Sequence, residues 1–188
     1  MYYSDEAIIG KRKEQQQLKQ KNISNGPVKI AKAELSFVQK QLFDGQMSIL
    51  LPDNYGELPE QVARLKYPSD QRPQLIFSSE DTKVNFTFSL LNTRFVMSDI
   101  EMATKSYFGV MKRLHPGMLV YQKEINEAMG YFSFKMPGLD QDIFHLYAFT
   151  SINSKMLVFI FNCPNSVHDE WAPIVGQVME SIHESKSL

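Results

Sequence analysis

Ile143-Phe144-His145-Leu146-Tyr147-Ala148-Phe149-Thr150 and Met156-Leu157-Val158-Phe159-Ile160-Phe161, with Asn153-Ser154 between them, decide the fold class. Both runs are short, rich in β-branched and aromatic residues, and apolar at odd and even positions alike. Such strands are buried on both faces, so the pair predicts two central strands of a sheet with cover on each side. Asn153-Ser154 is the turn that makes them antiparallel neighbours.

Upstream, Leu119 to Ile125 and Tyr131 to Met136 extend an antiparallel meander, with Phe132, Phe134 and Met136 on one face and Pro137-Gly138 as the next turn. Before them lies a helix. Ser98 and Glu101 have the spacing of a capping box, Met97 and Met102 that of a hydrophobic staple. Ile100, Ala103, Tyr107, Met111 and Leu114 form one apolar stripe, and Pro116-Gly117 ends it. Val84 to Leu91 alternates Val84, Phe86, Phe88 and Leu90 with Asn85, Thr87 and Ser89, the pattern of a half-exposed antiparallel strand. Leu75-Ile76-Phe77 precedes it, across a turn at Glu80-Asp81-Thr82.

Further back, Asp44-Gly45 joins two apolar runs, Leu35 to Phe43 and Gln46 to Leu51, and predicts a hairpin whose type I′ turn has positive φ at both central residues. Met47, Ile49 and Leu51 should be buried, and Pro52 closes the strand. Pro59 suits the start of a short helix carrying Val62, Ala63 and Leu65. At the other end, Trp171, Val175, Val178 and Ile182 repeat at helical spacing, with the regular helix expected to begin in the turn before Pro173 or to kink there. The order is strands, helix, strands, helix, strands, helix. That is an α+β domain with a largely antiparallel sheet sandwiched between helices. Phe86, Phe88, Phe132, Phe134, Leu146, Val158, Phe159 and Trp171 are expected in one core.

The 188 residues suffice for one domain without disulfide or metal support. Twenty basic and 21 acidic residues nearly cancel, which argues against a nucleic-acid binder. The longest apolar run, Met156 to Phe161, is far shorter than the roughly 20 residues of a membrane helix. No basic n-region precedes Ala7-Ile8-Ile9, and Cys163 is the only thiol, so a cytosolic protein is expected. Residues 1–26 read as a polar, flexible arm: Lys11, Arg12, Lys13, Lys19 and Lys21 sit among glutamines, with no apolar stripe to dock a helix. The arm should be deletable at little loss of stability, unless it orders on a partner or a second subunit. Asn25-Gly26-Pro27 then marks the start of a single domain, 27–188.

Three features carry a resemblance. The hairpin Phe43-Asp44-Gly45-Gln46-Met47-Ser48-Ile49-Leu50-Leu51-Pro52 is similar to the strand ending in Leu-Pro that opens PsbP-like domains. The central helix stands between two groups of antiparallel strands, and Val178-Met179-Glu180-Ser181-Ile182 resembles the last helix of those domains. Over residues 35 to 184 the chain therefore resembles the PsbP-like superfamily, which includes the Ran-release factor of nuclear import and bacterial DcrB-like proteins. The resemblance implies members that bind proteins rather than catalyse.

Candidate chemistry is sparse. Cys163 and His168 have the separation of a thiolate–imidazole pair, and His145 lies near Asp142, so either could serve a small enzyme. The plainer readings are a packed strand-end cysteine and a core histidine satisfied by one hydrogen bond. Asp140-Gln141-Asp142 lacks the glycine and glutamate of a calcium loop, and the histidines have no metal-ligand spacing. His115 and His183 are placed at helix ends. The loop from Tyr67 to Pro73 differs in kind: two prolines stiffen it, and Tyr67 and Arg72 are residue types favoured at interaction hot spots, against the plainer reading of a connector around the sheet edge. Tyr67, Pro68, Arg72 and Pro73 are the candidate partner surface. The expected function is a non-catalytic cytosolic protein-binding or adaptor domain without cofactor, nucleic-acid or membrane partner. A chaperone-like secretion adaptor is the further alternative.

Overall fold

The structure, a computed structural model, describes residues 22–185. Its main sheet has seven antiparallel strands. In chain order the elements are β1 (Val28–Ile30), β2 (Ala33–Leu35), β3 (Phe37–Leu42), β4 (Met47–Pro52), β5 (Gly56–Glu57), α1 (Glu60–Lys66), β6 (Leu75–Ser78) and β7 (Asn85–Arg94). They continue with α2 (Ile100–Leu114), β8 (Leu119–Ile125), β9 (Gly130–Pro137), β10 (Asp142–Ile152), β11 (Lys155–Pro164), α3 (His168–Glu180) and β12 (His183–Glu184). Strand order in the main sheet is β5-β6-β7-β11-β10-β9-β8. The two strands that are apolar on both faces, β10 and β11, thus lie inside it. They meet at Ile152–Lys155 through Asn153 and Ser154, both at positive φ as a two-residue primed turn requires.

The sheet has two covered faces, and each has its own core. On one face Phe86, Phe88, Phe159, Phe161, Phe144 and Leu146 pack against Trp171, Ile174 and Val178 of α3 and Met47, Ile49 and Leu51 of β4. The Trp171 ring stands 5.4 Å from that of Phe161 and 5.8 Å from that of Phe86. On the other face Phe132, Phe134, Phe149 and Val158 pack under Ile100, Tyr107, Phe108 and Met111 of α2. The single core expected from the sequence is therefore two, because a seven-stranded sheet separates Phe132, Phe134 and Val158 from the remaining five residues. Two small sheets, β1-β2 and β12-β4-β3, complete the first face.

Local expectations hold unevenly. Asp44 and Gly45 take positive φ, and Gln46 N–H donates to Phe43 O at 3.1 Å. Phe43 joins them at φ 54°, so pairing stops at Leu42–Met47, and its ring packs against the first core. The Ser98–Glu101 capping box does not form. The Asp99 carboxylate accepts from Val96 N–H at 2.9 Å across a short 3-10 turn, and Glu101 instead pairs with Lys105. Met97 and Met102 are exposed and staple nothing. In α1 only Ala63 is buried. His183 lies in β12 rather than at a helix end. Residues 1–21 lie outside the described residues; Ile23, from the stretch read as arm, is buried in the first core, and its N–H donates to Gln177 Oε1.

The polar face of β7 is not exposed: Asn85 and Thr87 are 0% and 1% accessible. The loop from Tyr67 to Gln74 lies over this end of the strand.

Candidate functional site

Strand register builds a floor on the second face, beyond the end covered by α2. One rung runs Asn85, Asn162, His145, Phe134 across β7, β11, β10 and β9. The next runs Thr87, Ile160, Tyr147, Phe132, and Ser89 faces Val158 on a third. Alternate residues share a face, so all these side chains project to one side. Over the β7 end runs a strap, Tyr67 to Gln74. Between strap, floor and Tyr107 of α2 is a groove of about 930 Å³, within the range of ligand sites.

The strap is pinned at both ends. Lys66 Nζ donates to Thr82 O and, at 2.9 Å, to Asn85 Oδ1. At the far end β6 stops at Leu75, paired with Phe88, and the Gln74 Oε1 accepts the next outward N–H of β7, that of Leu90, at 2.7 Å. A glutamine side chain thus replaces a missing strand residue. Asn85 is saturated: its oxygen accepts from Lys66 and Ser78 Oγ, and its Nδ2 donates to Thr82 O and Asn162 Oδ1 (2.8 Å). With its oxygen turned to Asn85 by this network, Asn162 presents its NH₂ on the side of the Tyr67 phenol.

Groups of both the floor and the strap lack partners. Thr87 Oγ1 and the Tyr67 hydroxyl are buried without a hydrogen bond. Asn162 lies near enough to offset part of the upward push that burial gives the Tyr67 phenol, yet outside hydrogen-bond geometry. Tyr147 is pushed up to about 12, chiefly by burial and then by Tyr67 beside it. His145 is pushed down to about 4, first by burial and then by His115, and is neutral at pH 7. Its ring stacks on Phe134 at 5.2 Å and 14°. The single hydrogen bond expected for His145 is not made. Asp142, read as its companion, pairs with Lys135 at 2.8 Å. Neutral hydroxyls and an imidazole with no acid or nucleophile bonded to it suit recognition better than proton transfer.

Cys163 and His168 do not meet as a dyad. Cys163 is fully buried in the first core, and burial pushes its thiol up to about 12. His168 Nδ1 contacts Asn165 O at 2.9 Å, its Nε2 contacts Asp169 Oδ1 at 3.1 Å, and its ring stacks on Tyr121. Of the strap residues read as a partner surface, Tyr67, Pro68, Arg72 and Pro73 all line the groove, and His145 joins them. Sequence reading missed Thr87, Tyr107, Tyr147 and Asn162. Asn162 carries a faint signal, a polar residue in an otherwise apolar strand.

No family model matches the chain, and no curated protein matches it by sequence. Solved structures do. The Ran-binding protein Mog1p of Saccharomyces cerevisiae aligns over 80% of this chain and 96% of its own, with TM-score 0.51 and 10% identity. Cyanobacterial PsbP of Synechocystis aligns over 82% and 95%, with TM-score 0.52 and 10% identity. With its antiparallel sheet between helices, this chain has the PsbP-like fold.

Proposed function

We propose that the protein is a non-catalytic cytosolic adaptor whose partner, another protein, engages the groove beneath Tyr67, Pro68, Arg72 and Pro73. The observation that carries this reading is the pair of buried hydroxyls, on Thr87 and Tyr67, left without partners at the groove. A buried polar group without a hydrogen bond is destabilising, and folded proteins keep few of them. A ligand that supplies the missing bonds relieves that penalty. The strap adds rigid prolines and an arginine, and its two pins hold it in place before binding, which lowers the ordering entropy of association. Mog1p, which shares the fold at 10% identity, is a Ran-binding protein. This precedent is one of architecture only.

The test places a photo-crosslinking residue at Ser69 on the strap and, as control, at Gln122 on β8. Crosslinks to a partner from native cytosol should arise at 69 and not at 122. They should vanish when Ser89→Phe fills the groove in a protein of unchanged circular dichroism. Equal crosslinking at both sites, or crosslinks that survive Ser89→Phe, would sink the reading.

A further inference from the structure

Among the described residues, the groove floor offers hydrogen bonds but no uncommitted charge. The Lys66 ammonium is held by Thr82 O and Asn85 Oδ1. On the strap Asp70 is exposed and Arg72 leans back toward Ser69 O at 3.5 Å, so one acid and one base stand at the rim. A carboxylate or ammonium lowered to the floor would lose its hydration with no counter-ion there to replace it. The complement of the Thr87 and Tyr67 hydroxyls is a group that both donates and accepts, because each of them can do either. The flanking surfaces are flat. Tyr107, Tyr147 and the prolines of the strap form the sides, and Ile160 and Val158 the apolar base.

Resting on the groove as the partner site, we propose that its deep end is a specificity pocket for an uncharged planar side chain with a hydrogen-bonding group, an Asn or Gln carboxamide or a Tyr phenol of the partner's chain. The planar group lies between the aromatic walls and completes the bonds of Thr87 and Tyr67. A volume of about 930 Å³ exceeds any one side chain, so neighbouring residues of the partner fill the remainder under the strap.

The test titrates the full-length ¹⁵N-labelled protein at pH 7 with three probes of matched shape: benzamide, benzoate and benzylamine. Benzamide should shift the amides of residues 87, 145, 147, 160 and 162 and bind at least tenfold tighter than either charged probe. Thr87→Val should weaken benzamide about fivefold or more, and Thr87→Ser, which restores the hydroxyl, should bind as the unmodified protein does. Benzoate or benzylamine binding as tightly as benzamide, no probe shifting the floor, or Thr87→Val without effect while its spectrum stays folded would each overturn the proposal. Crosslinking at Ser69 separates the two ideas. Groove-dependent crosslinks with no preference for benzamide would remove the specificity pocket and leave the adaptor; benzamide binding without crosslinks would do the reverse.

Discussion

Acidification should destabilise this protein through His145 before most of its carboxylates titrate. The imidazole lies on the groove floor, stacked on Phe134, and burial with the nearby His115 lowers its pKa from 6.5 to about 4. The unfolded chain therefore binds one more proton than the folded chain between those values, and stability rises with pH across that window. Stability is full above pH 6.5 and falls as pH drops toward 4. The loss is about 1–2 kcal/mol at pH 5.5 and about 2–3 kcal/mol at pH 4.5. These are ceilings, because the ring keeps some access to solvent through the groove. The assay is urea unfolding at half-unit steps from pH 7.5 to 4.5, on the unmodified protein and on His145→Gln. The variant should lack most of the slope between pH 6.5 and 5, whatever its stability at pH 7. A variant with the unchanged slope, or an NMR titration placing His145 near 6.5, would refute the argument.

Three other outcomes follow from packing. Phe159→Ala removes a ring 5.3 Å from Phe88 and 6.3 Å from Phe86 in the first core, and should cost about 3–5 kcal/mol in chemical denaturation; a cost below about 1 kcal/mol would misplace β11. Gly130→Ala would set a Cβ 2.0 Å from the Oγ1 of buried Thr104, which donates to Ile100 O at 2.7 Å, so about 1–3 kcal/mol should be lost. Adding Thr104→Ala should recover part of that loss, and strict additivity of the two changes would count against the contact. Cys163, buried with its thiol pushed up to about 12, should react with iodoacetamide only as fast as the protein opens, so alkylation should accelerate in step with added urea. Rapid alkylation of the native protein, abolished by His168→Ala, would revive the enzyme.

The fold was legible because its signals are local. Period-two alternation locates Phe86 and Phe88, runs apolar on both faces mark β10 and β11 as central, and Asp44-Gly45 specifies its own turn. What sequence misassigned involves competition or distance. At α2 two acids stood within reach of one helix start, and Asp99 took the backbone N–H while Glu101 found Lys105 on the next turn. In the core, the runs of β10 and β11 announce cover on both faces, yet Val158 and Phe159, which alternation sets on opposite faces, fall into one expected core because nothing local says that a separate set of residues packs on each face. The groove illustrates the deeper reason. Asn85, Thr87 and Ser89 alternate with phenylalanines as the wet face of an amphipathic strand would, because alternation reports polarity and not exposure. Asn85 and Thr87 are covered because Lys66, 19 residues before Asn85, and Gln74, 16 residues before Leu90, tie a proline-stiffened strap across that end of the face. Neither pin has a periodicity, so only the assembled chain reveals that the polar rungs face a groove. Solvation of β7 explained its polar residues adequately until that cover was visible. With the cover in place, Thr87 has lost water and gained no partner, and the same composition becomes a reason to expect a ligand.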